Sequence, residues 1–266
     1  MRKRRDEKVL PAVRPNVGIE IWYRKKLLRL AEEMSNSVEY WLKASYRKNE
    51  PVMAQDETPA VQLRIAVNKL VRYWQRRFDD ASKELAKYFA LAANKRSDAA
   101  LRSILKKNGW SVKFTVTPEM RDVMKAAIAE NVALIRSIPQ QYLTNVAGEV
   151  YRSVQAGRDL GTLAKQLEKQ YGVTRRRAAL ISRDQNNKMT ATFTRVRQQE
   201  IGVECAIWMH SHAGKVARRT HLANDGNRYK VAEGWFDPDP KVRRYIYPGE
   251  LISCRCTSRS IVKGFS

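Results

Sequence analysis

Apolar side chains recur along the first half of the chain in helical steps. Leu27, Leu30, Met34, Val38, Trp41, Leu42 and Ser45 fall three and four residues apart, the spacing that brings side chains to one face of an α-helix. Asn49-Glu50-Pro51 supplies a stop. A longer series, Leu63, Val67, Leu70, Val71, Trp74, Phe78, Ala81, Leu85, Tyr88 and Ala92, predicts a second helix whose seam packs on a neighbour, as in a bundle. Asn108-Gly109 closes it. Trp110 to Thr117 then alternates apolar and polar, which predicts a short strand over 110–117. Thr117-Pro118 reads as an N-cap with proline at the first helical position. A helix should run from there to about Ile138, where Pro139 interrupts, and another from about Pro139 to Ala156. Gly157 and Gly161 frame a turn. A short helix over 162–171 closes at Gly172, and Thr174 caps a basic helix reaching about Gln199. Gln185, Asn186 and Asn187 sit where its apolar stripe would continue, on either a buried hydrogen-bonded contact or an exposed face.

The texture changes near Gly202. Val203 to Met209 is strand-like, and Asn224-Asp225-Gly226-Asn227 is a turn of residues that tolerate positive φ. Residues 234–240, holding Asp237 and Asp239, read as a loop. Tyr247-Pro248-Gly249-Glu250 is another turn, and residues 251–262 a terminal strand. The expected fold is α+β and mostly α: a helical N-terminal bundle followed by a small α+β C-terminal domain with short strands. Its parts are a basic flexible leader (1–16), a helical region with the short strand (17–117), the helices 118–200, and the small α+β tail (201–266). A 65-residue tail buries too little by itself, so it is expected to pack on the 118–200 helices.

Charge narrows the class of partner. Of 266 residues, 51 are Lys or Arg and 27 Asp or Glu, a formal +24. Residues 1–200 carry 40 basic and 21 acidic side chains against 11 and 6 in the tail. So basic a chain expects a polyanion, most often nucleic acid and here double-stranded DNA, though an acidic protein partner or an anionic membrane would also satisfy the charge. Arg175, Arg176 and Arg177 are consecutive and are the candidate nucleic-acid contacts. Arg64, Lys69, Arg72, Arg76, Arg77 and Lys83 fit a solvated helix face better than a dedicated DNA surface. No apolar run is long enough to span a membrane. The basic start has no apolar segment behind it, and three cysteines make no disulfide framework. These features suit a reducing cytoplasm and no membrane partner.

The tail holds the candidate chemistry. Cys254 and Cys256, two apart in a strand, would present both thiols to one face, where a disulfide between them would be severely strained. Small buried thiols packed in the core are the favoured reading, with no cofactor. The alternative is zinc held by His221, Cys254 and Cys256, with Asp225 or His212 as a fourth ligand, although Cys-x-Cys is not the usual zinc spacing. His210, His212 and His221 could also serve a histidine nuclease, but no paired motif supports one. The Cys254–Cys256 strand is expected to dock near His221, with Arg218 bonded to a carboxylate such as Glu250.

Taken in order, Trp208, Arg218-x-x-His221, Asp225-Gly226, a glycine-aromatic loop and Pro248-Gly249-Glu250-x3-Cys254-Arg255-Cys256 resemble the C-terminal motif of the phage Mu F-like minor head proteins, the head-morphogenesis family of tailed phages. The resemblance extends over roughly 118–262. Where the family commonly has Ala-Arg-Thr-Glu, this chain has Ser182-Arg183-Asp184-Gln185, keeping the arginine and replacing the acid by an amide. The resemblance implies a low-copy, non-enzymatic structural protein that associates with the portal and takes part in procapsid assembly. It would reside in the virion, inside the head near the portal, and in host cytoplasm during assembly. Major capsid or scaffold protein are further partners it suggests, and some relatives bind DNA and assist its delivery. The competing reading is a metal-dependent nuclease or toxin-like enzyme using the His/Cys cluster, for which a fused effector would be expected beyond residue 262.

Overall fold

The structure, a computed structural model, describes residues 7–48, 59–156, 160–212 and 217–263. Four long helices dominate it: α1 (Val17–Lys48), α2 (Pro59–Lys107), α3 (Pro118–Gln155) and α4 (Leu160–Glu200). The tail adds β2 (Cys205–Met209), the short α5 (Arg219–Ala223), β3 (Arg228–Lys230), β4 (Trp235–Asp237), β5 (Arg244–Ile246) and β6 (Thr257–Lys263). With β1 (Glu7–Val9), three of these form an antiparallel sheet ordered β1-β6-β2-β3, and β4 pairs with β5. The fold is therefore mostly α, with a small antiparallel α+β tail. Two compact units cut across the helices: Met1–Glu20, Tyr88–Ala127 and Arg183–Ser266 form one, and Ile21–Lys87 with Ile128–Ser182 the other.

In the second unit the helix stripes are the core. Leu27, Ala31, Met34, Val38 and Leu42 on α1 are fully buried, whereas Trp41 is exposed. Three tyrosines join α1 to α3. Tyr23 donates to Asn131 Oδ1 (3.0 Å), Tyr142 to Ser35 Oγ (3.2 Å) and Tyr46 to Ser153 Oγ (2.7 Å). Along α2 the buried positions are Leu63, Val67, Leu70, Trp74 and Phe78, then Ser82, Ala86, Phe89 and Ala93. Beyond Phe78 the seam lies one residue past the expected Ala81, Leu85, Tyr88 and Ala92. Alternating steps of three and four average 3.5 residues, whereas the helix turns every 3.6, so the seam drifts by about 20° per heptad.

Several boundaries read from sequence are corrected. Pro139 does not interrupt a helix but lies inside α3. Ile135, Ile138, Tyr142, Leu143 and Val146 form one buried stripe across it, and this packing outweighs the roughly 3 kcal/mol that an interior proline costs. Gly172 likewise does not end a helix. Leu163, Leu167, Thr174, Ala178 and Ile181 are a continuous buried stripe on α4. Thr174 is no N-cap: its hydroxyl donates to the Gln170 carbonyl (3.0 Å) one turn back, the bond that lets a threonine sit within a helix. The stop at Asn49-Glu50-Pro51 and the turn residue Gly157 lie outside the described residues.

In the first unit the leader is not free from residue 7 onward. Glu7, Lys8 and Val9 pair with Lys263, Val262 and Ile261, and Leu10 and Val13 enter the core. Residues 110–117 form no strand. Trp110, Val112 and Phe114 pack on the core and the intervening residues are exposed, so the alternation records a segment laid along an apolar surface without a ladder partner. Thr117 caps α3 as expected, its Oγ1 accepting from the Met120 N–H (3.2 Å). The same core takes in Leu101 and Leu105 of α2 with Val203, Ala206, Trp208, Tyr229, Ile246 and Val262. The tail's partner face thus includes the end of α2 and the leader.

A buried arginine ties this unit together. Arg197, 1% exposed, holds Asp98 through Nε and Nη2 (2.8 and 2.9 Å), while its Nη1 donates to Glu200 Oε2 (2.6 Å) and the Thr115 carbonyl (2.7 Å). The guanidinium lies 4.9 Å over Phe114. Burial opposes its charge, but the bonds to Asp98 and Glu200 prevail and raise its pKa. Arg197→Ala would leave two half-buried carboxylates uncompensated and should cost about 3 kcal/mol in urea unfolding. Arg197→Lys, which keeps the charge but not the fork, should fall between the two. A loss under 1 kcal/mol for the alanine variant would refute this role.

Candidate functional site

The tail folds around Trp208. β2 alternates in burial, and Trp208 points inward with no exposed surface. Its ring packs edge-on against His221 (5.1 Å between centroids) and Tyr229 (6.0 Å), and tilted against Trp235 (5.3 Å). His221 is held on α5, whose start follows Arg218. Arg218 does not bind Glu250. Its Nη2 donates to the Ile252 carbonyl (2.8 Å), because Glu250 is occupied elsewhere: Arg244 Nη1 (2.6 Å) and the Tyr247 N–H (2.9 Å) both donate to it. Arg218 still reaches the turn before Cys254, but through a backbone carbonyl.

That turn brings the two thiols in. Ser253 takes a positive φ of 60°, its N–H bonded to Asp184 of α4. Cys254 and Cys256 lie in the extended lead-in to β6, not in the strand itself. Both nevertheless face one way, as expected. Their sulfurs stand 3.5 and 3.6 Å from His221 Nδ1, and all three side chains are buried. The thiols form a coupled pair. The Cys254 pKa is lowered, first by the Cys256 thiol and then, against the effect of burial, by His221. That of Cys256 is raised because Cys254 and burial hold its proton.

The other nitrogen of His221 has a partner that the sequence reading missed. Asp237, read as a loop former, is fully buried on β4, and its Oδ2 lies 3.2 Å from His221 Nε2. Its Oδ1 accepts from the Asp239 N–H (3.0 Å). Its position directly after two aromatics, Trp235 and Phe236, was the available signal, and once buried the carboxylate requires a donor.

The remaining motif residues are structural and dispersed. Asp225 Oδ1 accepts from the His210 N–H (2.8 Å), and its Oδ2 pairs with His212 Nε2 (2.8 Å). These bonds lower its pKa, the His210 backbone contributing most. Asp225 and His212 are thus engaged with each other, and the His210 ring packs edge-on against His212 (4.7 Å between centroids). Gly226 turns with φ 79° and donates to the Trp208 carbonyl (2.8 Å). Arg183 is half-buried on α4, and Arg255 half-buried between the two cysteines. Gln185 and Asn186 are buried, Asn186 Nδ2 donating to the Asn16 carbonyl (3.1 Å). The buried reading of the α4 amides therefore holds for these two. Of the arginine cluster, Arg175 and Arg176 are exposed, while Arg177 donates to Ser137 Oγ (2.8 Å).

With this geometry in place the comparison with known proteins is specific. Residues 144–259 match the family model described as Phage Mu protein F like protein. This segment is similar to the phage Mu F-like family. It contains Trp208, His221, Asp237, Cys254 and Cys256, so the whole cluster lies inside the matched region. An uncharacterized protein of Haemophilus influenzae (strain ATCC 51907 / DSM 11121 / KW20 / Rd) is 27% identical over 260 residues, covering 96% of this chain and 55% of that protein. The chain thus spans about half the length of this curated relative. No solved structure matches it.

Pro248-Gly249, part of the Mu F-like motif, is where the tail approaches α4. Gly249 has φ 81°, and a Cβ there would come within 2.8 Å of Ala191 Cβ and 3.4 Å of the Cys256 carbonyl oxygen. Gly226 has a similar φ of 79° but nothing within 4 Å. Gly226→Ala should therefore cost only the left-handed strain, about 1–2 kcal/mol. Gly249→Ala should cost clearly more, because α4 must also give way. Equal losses in chemical unfolding would show that the close approach carries no energy.

Proposed function

We propose that this protein is a structural minor head protein of a tailed phage, acting in procapsid assembly near the portal and binding double-stranded DNA without sequence preference. The observation that carries the reading is the match of residues 144–259 to the phage Mu F-like family, a phage head-morphogenesis family. The reading is of a non-enzymatic protein associated with the virion. No helix among the described residues is long and apolar enough to cross a membrane.

Two surface features support separate partners. The net charge of +24 is concentrated in residues 1–200, and Arg175 and Arg176 stand exposed on α4. Arg177 is occupied by Ser137 and is assigned to holding α3 against α4. The second feature is an open groove of about 770 Å³ between α1 and α2, lined by Trp41, Ile65, Leu70, Tyr73 and Trp74 among others. Trp41 and Tyr73 are each more than half exposed, and adjoining exposed aromatics mark protein-binding surfaces more often than chance. This groove is the proposed seat of the portal or of another head protein, including major capsid and scaffold protein. A role in genome delivery would follow if DNA and portal are bound together.

The two contacts separate by mutation. Neutralising about six phosphates would make DNA affinity fall about a thousandfold between 50 and 200 mM salt. Arg175→Ala with Arg176→Ala should lower the magnitude of the salt slope by about two and leave portal binding in place. Trp41→Ala with Tyr73→Ala should do the reverse. DNA binding with an unchanged slope in the arginine variant would remove these residues from the DNA contact. Absence of the protein from heads assembled with it would overturn the assembly role.

A further inference from the structure

We propose that His221 Nδ1, Cys254 Sγ and Cys256 Sγ bind one zinc ion. The three ligand atoms lie within 4.8 Å of one another. Zinc–sulfur and zinc–nitrogen bonds of about 2.3 and 2.05 Å at a tetrahedral angle put sulfur and nitrogen about 3.6 Å apart. The observed separations are 3.5 and 3.6 Å. A neutral imidazole has one lone pair and accepts from only one thiol at a time, whereas a bound ion is met by both sulfurs and the nitrogen together.

The surroundings fit a metal as well. Asp237 Oδ2, 3.2 Å from His221 Nε2, accepts the proton on that nitrogen and so leaves the Nδ1 lone pair aimed at the sulfurs. This is the carboxylate–histidine pairing that supports a metal-bound imidazole. The buried Trp208 N–H is directed at the Cys256 sulfur and favours its charged form, in the ring that packs on His221. Thiolate and imidazole donors select zinc over magnesium or calcium. Three protein ligands leave one position for water. The ion would cross-link α5 to the lead-in of β6, while Asp237 adds β4 through His221.

The test uses the full-length chain without a histidine tag, reduced, stripped with chelator and titrated with zinc chloride or cobalt(II) chloride. Elemental analysis should return one zinc per chain, and cobalt should give a thiolate charge-transfer band with the intense d–d absorption of tetrahedral geometry. Cys254→Ser with Cys256→Ser should lose both, although Cys205 remains. Asp237→Asn places an amide against His221 Nε2 and should bind zinc about 10–100-fold more weakly while keeping the band at saturating cobalt. Wild-type protein that stays metal-free in micromolar zinc would overturn the proposal. So would a double-serine variant, folded by circular dichroism, that keeps its zinc. Neither readout involves DNA or portal.

Discussion

A guanidinium can be buried only if its charge and its donors are answered, and Arg197 organises its unit around that requirement. It takes Asp98 from α2, Glu200 from its own helix and the carbonyl of Thr115 from the segment between α2 and α3. Three pieces of chain distant in sequence must therefore meet at one point. Once they do, Trp110, Val112 and Phe114 lie on the core without needing a partner strand, and Leu101 and Leu105 are presented to the tail. The tail buries Trp208 and Ile246 in one core with Leu10, Leu101 and Leu105.

The tail is then closed at a second point. His221 sits on a five-residue helix too short to hold its position by helix formation alone. Its ring is fixed by Trp208 on one side, Asp237 at Nε2 and the two sulfurs at Nδ1. The turn that delivers the sulfurs is anchored to α4 through Asp184 and to α5 through Arg218. Gly249 lets the preceding turn approach α4 closely. Trp208, Arg218, His221, Gly249, Cys254 and Cys256 are thus parts of one closure, and they are spaced along the sequence because they come from different short segments.

What the sequence disclosed follows from the range of each interaction. Helix stripes and the Thr117-Pro118 cap depend on neighbours within a few residues, and these were legible. The drift of the α2 seam past Phe78 was not, since an error of about a tenth of a residue per turn accumulates only over a long helix. Pro139 and Gly172 misled because local propensity favoured a break and tertiary packing overrode it. The alternation at 110–117 gave the right buried face and the wrong hydrogen bonding, as periodicity reports burial and not pairing. In the site, Cys254, Cys256 and His221 were placed together correctly. Asp237 escaped notice because a carboxylate in an Asp-Pro-Asp-Pro loop looks solvated until β4 is seen to carry it inward.

Asp237 also shows why the cluster is a committed arrangement. A buried carboxylate facing an imidazole holds a proton on Nε2, so it is Nδ1 that meets the sulfurs. The thiols in turn share a proton unevenly, one favouring the thiolate because the other donates to it. Neither cysteine can be understood alone, and neither can the histidine without the aspartate. A packed apolar cluster would have needed none of this polarity. Leu or Val in these positions would bury more apolar surface and leave no polar group to satisfy. Four buried polar side chains in register, on elements too short to hold their own geometry, are better matched to holding a charge between them than to filling space.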